Sequence, residues 1–147
     1  MNKFIYILFI AAIIPGCNIF SRGYEIRHHD MQNHTQLRWE EDSTVLVFAG
    51  NEDLPTIPLQ LERGKYSIRF RAKGSASAGI TPHFVIRLGD YTIKDMHIEV
   101  GLNSYQFNFE LPEHADGPLR FIFDNDHSDE TGDRNVFLHY PVMIEPF

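Results

Sequence analysis

The sequence predicts an all-β domain, an antiparallel β-sandwich of jelly-roll type. Short segments rich in β-branched and aromatic residues follow one another, each bounded by Gly, Pro, Asn or Asp, and no segment has helical periodicity. We predict nine strands, at residues 35–39, 44–48, 57–61, 65–72, 83–88, 91–100, 105–111, 119–123 and 136–144. Because no helices alternate with them, two packed antiparallel sheets are expected, with a closed barrel as the alternative.

Two of these segments alternate strictly. Every even position from Tyr66 to Ala72 is apolar and the positions between are Ser or Arg, while the odd positions from Tyr105 to Leu111 alternate with Gln, Asn and Glu. A period of two places the apolar side chains on one face of a strand. These strands are therefore expected to have one buried face and one solvated face.

The length and net charge of the chain limit the number of domains and the kinds of partner. A chain of 147 residues can bury one core once its first residues are set aside, so one folded domain is expected. The formal net charge of −7 argues against a nucleic-acid partner and is compatible with divalent cations or neutral ligands.

The N-terminus predicts an exported, membrane-anchored protein. Lys3 precedes an apolar run at residues 4–14, which is too short to span a membrane, and Cys17 follows. Residues 1–16 resemble a bacterial lipoprotein signal peptide, which implies lipid attachment at Cys17. An ordinary secretory signal is the alternative, but a lone cysteine cannot form an internal disulfide. In this resemblance Asn18 indicates the outer membrane, facing the periplasm or the cell surface.

We predict that residues 17–34 form the lipidated tether with an edge strand at 24–27, and that residues 35–147 form the sandwich. His28, His29 and His34 are predicted to be exposed rather than zinc-binding, because no acidic or cysteine partner lies at metal-ligand spacing.

An acidic loop at residues 124–135 lies between two apolar strand patterns. It contains five acidic residues: Asp124, Asp126, Asp129, Glu130 and Asp133. Close carboxylates repel one another, so such a loop either stays solvated or binds a hard cation, of which Ca²⁺ is the usual one. The helix-loop-helix calcium pattern fails, because its glycine and glutamate positions hold Asp129 and Asn135. The prediction is a calcium loop in a β-protein, with a solvated hairpin as the alternative.

No enzyme motif was found. The sequence lacks a Gly-x-Ser-x-Gly elbow, a phosphate-binding glycine loop and a His-Glu-x-x-His pair. Glycoside hydrolysis needs a carboxylic acid in an apolar pocket, whereas the acidic residues here are clustered in a hydrophilic loop. A non-catalytic protein is predicted.

Residues 64–144 resemble calcium-dependent carbohydrate-binding modules of the xylan-binding type. The resemblance is strongest in a split motif, residues 123–126 (FDND) and residues 133–135 (DRN), on either side of the acidic insert. It implies a β-sandwich in which neighbouring sugar hydroxyls coordinate a loop-bound Ca²⁺.

Carried onto this sequence, the resemblance implies Asp126 and Asp133 as calcium ligands, with Asp129 or Glu130 as further candidates. The residues of the motif and insert that it implies near the sugar are Asn125, His127 and Arg134. For Arg134, holding the loop by pairing with an aspartate is the favoured role.

The sequence is compatible with two functions. One is a non-catalytic lipoprotein that binds a polysaccharide or oligosaccharide through Ca²⁺, with a further protein partner in a polysaccharide system. The other is a structural or assembly lipoprotein in which Ca²⁺ only rigidifies the loop and an exposed sheet face docks a protein partner.

Overall fold

The computed structural model describes residues 23–147. The predicted leader and Cys17 lie outside this range. Within it the chain forms strands and two short 3₁₀ helices, and no helix has the length and apolar character needed to cross a membrane.

The twelve strands follow one another along the chain: β1 (Tyr24–Ile26), β2 (Trp39–Glu40), β3 (Val45–Phe48), β4 (Glu52–Leu61), β5 (Gly64–Gly74), β6 (His83–Leu88), β7 (Tyr91–His97), β8 (Gly101–Leu111), β9 (Ala115–Phe123), β10 (Ser128–Asp129), β11 (Gly132–Asp133) and β12 (Val136–Pro146). The 3₁₀ helices, His28–Asp30 and His34–Gln36, lie between β1 and β2.

Two antiparallel sheets form the domain. The six-stranded sheet has the order β2-β3-β12-β5-β8, with β1 also paired to β12, and the four-stranded sheet has the order β4-β9-β6-β7. Strands β10 and β11 form a separate hairpin inside the acidic loop. The predicted all-β, jelly-roll type sandwich is confirmed.

The core lies between the two sheets. On β5 the even-numbered residues from Tyr66 to Ala72 are buried, as their alternation predicts. Phe48 from the larger sheet meets Phe84 from the smaller one edge-on, with ring centroids 5.5 Å apart. Each fully buried side chain of this size contributes about 1.5–3 kcal/mol through removal from water, so this layer holds the two sheets together.

The predicted strand at residues 35–39 is wrong except at its last residue, Trp39, which begins β2. His34–Gln36 is a 3₁₀ helix, preceded by Asn33 in a left-handed conformation (φ 54°). The indole Nε1 of Trp39 donates to the carbonyl of His34 at 2.6 Å, which stabilises the turn. A local side-chain to main-chain bond therefore competes successfully with strand pairing.

The segment before residue 35 packs on the sandwich. β1 pairs with β12, and Ile26 and Met31 are buried in the core. The prediction of exposed histidines is correct for His29 but wrong for His28 and His34. These two are half-buried, because the ring of His28 lies 5.9 Å from Trp39 and 6.3 Å from His34.

Candidate functional site

The acidic loop forms a short hairpin at one end of the sandwich. β10 and β11 pair with Ser128 opposite Asp133. Gly132, at the turn side of β11, has φ 152°, and a Cβ there would lie 2.9 Å from the carbonyl oxygen of Ala76. Only glycine allows this close approach of two backbones. The hairpin is thereby packed against the segment that follows β5.

Arg134 holds this end together. Its side chain is buried, and its guanidinium donates from Nε to the carbonyl of Ile80 (3.1 Å), from Nη2 to that of Ser77 (3.0 Å) and from Nη1 to that of Asn125. Five fixed donors suit a guanidinium to bridge several carbonyls. Arg134 therefore holds the loop, and it does so through main-chain carbonyls rather than through an aspartate.

Asn125 and His127 occupy different environments. The Asn125 side chain accepts from the backbone N–H of His83 (2.6 Å) and donates to the carbonyl of Thr81 (3.2 Å), so it fixes the base of the loop on β6. His127 is exposed and its Nε2 lies 3.3 Å from Asp129. Of these two, only His127 presents its side chain to solvent.

The four predicted calcium ligands are exposed, and two of them, Asp129 and Asp133, bond to neighbouring residues. Asp129 accepts from Thr131 N (2.8 Å) and Thr131 Oγ1 (2.5 Å), and these bonds lower its pKa to about 2. Asp133 accepts from the side chain of Asn135 at 2.9 Å. Within residues 23–147, no group of three or more His, Cys, Asp or Glu side chains is arranged to hold a metal ion. The structure thus does not bring the four carboxylates into one shell.

Glu52, at the start of β4, is a carboxylate that the sequence does not single out. Its Oε2 atom is buried and has no hydrogen-bond partner among the described residues. Burial raises its pKa, and the negative charge of Asp126 raises it further, against the lowering effect of the Ala49 backbone and Arg38. A buried carboxylate oxygen without a hydrogen-bond partner carries a desolvation cost that a cation would offset. Carboxylate oxygens are the donor type that Ca²⁺ binds, but among the described residues they form no common shell.

An ion-pair cluster lies beside the loop on the outer face of the four-stranded sheet. His83 Nδ1 is 2.6 Å from Asp124 and Nε2 is 2.7 Å from Asp95. Hydrogen bonds to Asp124 and then to Asp95 raise the pKa of His83 despite partial burial. With both nitrogens bonded to carboxylates, the ring serves as an imidazolium bridge between β7 and the loop.

A second feature is an open groove of about 810 Å³ on the outer face of the six-stranded sheet. Strands β5 and β8 contribute Arg69, Phe70, Arg71, Ser104, Tyr105 and Gln106. Strand β12 and the loop before β3 contribute Glu41, Thr44, His139, Tyr140, Pro141 and Met143.

Strand register sets the order of the groove's polar groups. Ser104, Arg71 and His139 form one row across β8, β5 and β12, and Gln106, Arg69 and Met143 form the next. Between these rows the pairing of β12 with β5 shifts at the bulge between His139 and Met143. The sequence indicates the wet face of β5 and β8 but contains no signal for this bulge. Bulges open and redirect a sheet surface, so the groove arises from strand pairing.

No protein-family model and no curated protein matches the chain. Among solved structures, it is similar to the C-terminal family 6 carbohydrate-binding module of LamC, a marine laminarinase from Zobellia galactanivorans. The TM-score is 0.51 at 11% identity, covering 84% of this chain and 99% of that one. At this identity the similarity establishes a shared β-sandwich fold.

Two structures of a family 29 carbohydrate-binding module are also similar. The complex with cellulohexaose has a TM-score of 0.48 at 8% identity, covering 88% of this chain and 94% of that one. The complex with mannohexaose has a TM-score of 0.45 at 8% identity, covering 86% and 80%.

Proposed function

We propose that this protein is a non-catalytic glycan-binding module whose ligand lies in the groove on the six-stranded sheet. The groove is the observation that carries the proposal. It is large, open, and lined by hydroxyl, amide and guanidinium groups held on paired strands. Sugars are recognised by such directional polar groups placed on a rigid surface. The fold shared with the module of a laminarinase supports a glycan as the ligand.

The groove chemistry suits binding rather than hydrolysis. Glycoside hydrolysis requires two carboxyl groups flanking the bond that breaks. Among residues 23–147, Glu41 is the only acidic residue that lines the groove. A sugar bound there therefore meets hydrogen-bond donors and a cationic floor, without a pair of acids.

Isothermal titration against laminarin, xylan, mannan and alginate oligosaccharides tests the proposal. Ser104 is exposed on an edge strand of the larger sheet and lines the groove, so Ser104→Trp should fill it and abolish binding. Thr92→Trp is the matched control, on an exposed position of the edge strand of the smaller sheet. Both variants should melt near the wild-type temperature. Wild-type affinity in Ser104→Trp, or no binding by the wild type, would contradict the proposal.

A calcium ion at the acidic loop is part of the proposal. Its support is the set of exposed carboxylates from Asp126 to Asp133 and the buried carboxylate oxygen of Glu52, which has no hydrogen-bond partner among the described residues. The ion would supply a countercharge and rigidify the loop. Because an ion bound only by the folded state stabilises it by mass action, millimolar Ca²⁺ should raise the melting temperature relative to EGTA.

Glu52→Gln should reduce that calcium-dependent shift, because it removes a charge from the Glu52–Asp126 pair. Glu113→Gln, an exposed acid next to β9 at the far end of the strands, is the control and should leave the shift unchanged. Equal melting temperatures in Ca²⁺ and EGTA would mean that the acidic loop is a solvated hairpin that binds no calcium.

The loop is also a second candidate glycan site, favoured by exposed oxygen ligands beside His127. If sugar hydroxyls coordinate the ion there, Asp126→Ala and Asp133→Ala abolish glycan binding, His127→Ala weakens it less, and EGTA abolishes it in the wild type. If the groove is the site, Ser104→Trp abolishes binding and these loop variants keep it.

Export and lipid attachment complete the proposal. They are supported by the apolar leader at residues 4–14 and by Cys17 as the sole cysteine. A module anchored this way would present its groove to polysaccharide in the periplasm or at the cell surface.

A further inference from the structure

The groove contains a cationic strip that indicates the class of glycan it binds. We infer, on the basis of the function proposed above, that the groove binds an anionic polysaccharide whose carboxylate or sulfate groups contact the guanidinium of Arg71. Arg71 lies between Ser104 and His139 in the groove, on β5, which pairs with β8 on one side and β12 on the other.

Three consecutive outward positions at the end of β5 hold cations. Arg69, Arg71 and Lys73 occupy alternate positions and are exposed. Alternate residues of a strand are about 6.7 Å apart, so the three form a line along the strand. The whole chain has a net charge of −7, which makes this line a local exception to an acidic surface.

The three cations differ in what they already bind. Arg69 pairs with Glu145 at 2.7 Å, and the ammonium of Lys73 lies 5.4 Å from the ring centroid of Phe137. The side chain of Arg71 makes no hydrogen bond or ion pair with any of residues 23–147, although its neighbours are polar. Its guanidinium donors are therefore available to an anion that enters the groove.

The surrounding charges leave this cation largely uncompensated. In the part of the chain that the structure describes, Glu41 alone among acidic residues lines the groove, and it belongs to the loop before β3. Burial lowers the pKa of His139, and Arg71 and Lys73 lower it further against the opposing effect of Glu41. His139 is thus a neutral hydrogen-bonding group beside Arg71 near neutral pH.

A guanidinium recognises carboxylate and sulfate groups through two parallel hydrogen bonds, an arrangement that a neutral hydroxyl cannot match. Ser104, in the same row as Arg71, and Gln106, in the next row, can bond the hydroxyls of the same glycan chain. The acidic remainder of the surface repels an anionic polymer and so confines it to this groove. Carboxylated and sulfated glycans share this chemistry, and the two are distinguished by experiment.

Isothermal titration at low salt with four probes tests the inference: alginate, carrageenan and laminarin oligosaccharides, and poly-glutamate. We expect alginate or carrageenan to bind about tenfold tighter than neutral laminarin, which corresponds to about 1.4 kcal/mol, and to weaken as salt increases. The preferred one of the two identifies the anionic group. Poly-glutamate should bind weakly, because it lacks the sugar hydroxyls.

Arg71→Ala should weaken anionic glycan binding about tenfold, while Arg71→Lys, which keeps the charge but loses the fork, should retain part of it. Arg87→Ala is the control, since it removes the same charge from the outer face of the smaller sheet. It should change affinity less than twofold.

Three outcomes would overturn the inference. Binding of laminarin alone, abolished by Ser104→Trp, would retain the glycan-binding function and remove the preference for anions. Tight poly-glutamate binding would show that an acidic polypeptide is the ligand class. Unchanged anionic glycan binding by Arg71→Ala would place the anion elsewhere. Absence of binding to every glycan is the separate result that removes the proposed function itself.

Discussion

At the scale of single residues, we expect His83 to make the stability of the fold depend on pH. It contacts Asp124 and Asp95 through its two nitrogens, and His97 is the other titratable ring nearby, 5.4 Å away. The two carboxylates raise the pKa of His83 above that of the unfolded chain. The resulting stability is fully present below the unfolded value, about 6.5, and is lost as pH rises through the higher folded value.

The melting temperature should therefore fall between about pH 6 and pH 8.5 by more in the wild type than in His83→Gln, since glutamine cannot titrate. His114→Gln, at a histidine far from this cluster, should keep the wild-type dependence. Identical pH profiles for the wild type and His83→Gln, measured by thermal melts, would contradict this role.

Arg134 is a second single residue whose loss should lower stability. Without it, three main-chain carbonyls at the loop end would lose their hydrogen-bond donor. Arg134→Ala should lower the free energy of unfolding by about 2–4 kcal/mol. Urea unfolding measures this free energy, and hydrogen exchange at residues 75–80 detects local opening.

Arg27→Ala is the control for that experiment. Arg27 is an exposed arginine that pairs only with Glu25 among the described residues, so its loss should change the free energy of unfolding by less than about 0.5 kcal/mol. A similarly small change for Arg134→Ala would mean that the loop end holds without the guanidinium.

At the scale of elements, the pairing of β4 with β9 depends on a hydroxyl group. Pro58 lies opposite Pro118, so neither residue can donate a backbone hydrogen bond, and the register shifts between Pro55 and Pro58. Thr56, fully buried at this irregularity, accepts from the backbone N–H of Leu119 at 3.0 Å and donates to the carbonyl of Ile57 at 2.7 Å. The Thr56 hydroxyl therefore accepts the backbone hydrogen bond of Leu119 in place of a main-chain carbonyl.

Thr56→Val keeps the shape but leaves the Leu119 N–H without an acceptor, and it should cost about 1–3 kcal/mol of unfolding free energy. Thr56→Ser keeps the hydroxyl, so its free energy of unfolding should be close to that of the wild type and higher than that of Thr56→Val. Urea denaturation compares the three proteins. Equal stability of the Val and Ser variants would show that packing, rather than the hydroxyl, secures the two strands.

At the scale of the whole molecule, the two outer sheet faces have different chemistry. The smaller sheet presents the His83 cluster next to the acidic loop, and the larger sheet presents the groove with its line of cations on β5. β1 joins the larger sheet by pairing with β12, so the proposed tether enters the fold on the same sheet as the groove.

The proposed anchor gives a prediction for the whole protein in the cell. Cys17→Ser should remove the lipid attachment point and release the protein from the membrane fraction or block its maturation, because one apolar leader of this length does not span a bilayer. Ser21→Ala, a change of similar size in the predicted tether, should fractionate like the wild type. Wild-type fractionation of Cys17→Ser would contradict a lipid anchor.

Local sequence patterns determined the fold class and the position of the acidic loop. Alternating apolar residues, as on β5, require only that neighbouring side chains point to opposite faces, which any strand imposes. The prediction failed at residues 35–39, where the Trp39 indole stabilises a turn that no periodicity reveals. That Arg134 holds the loop was also predictable, although its carbonyl partners were not.

Only the tertiary structure decided the chemistry of the candidate sites. His83 meets Asp95 and Asp124, and Arg71 lies between Ser104 and His139. These residues come from strands far apart in the chain, and no pattern within one segment specifies which strands will be neighbours. Register and bulges are set by the packing of both sheets together, so the groups that converge on a site are fixed only when the whole core has formed.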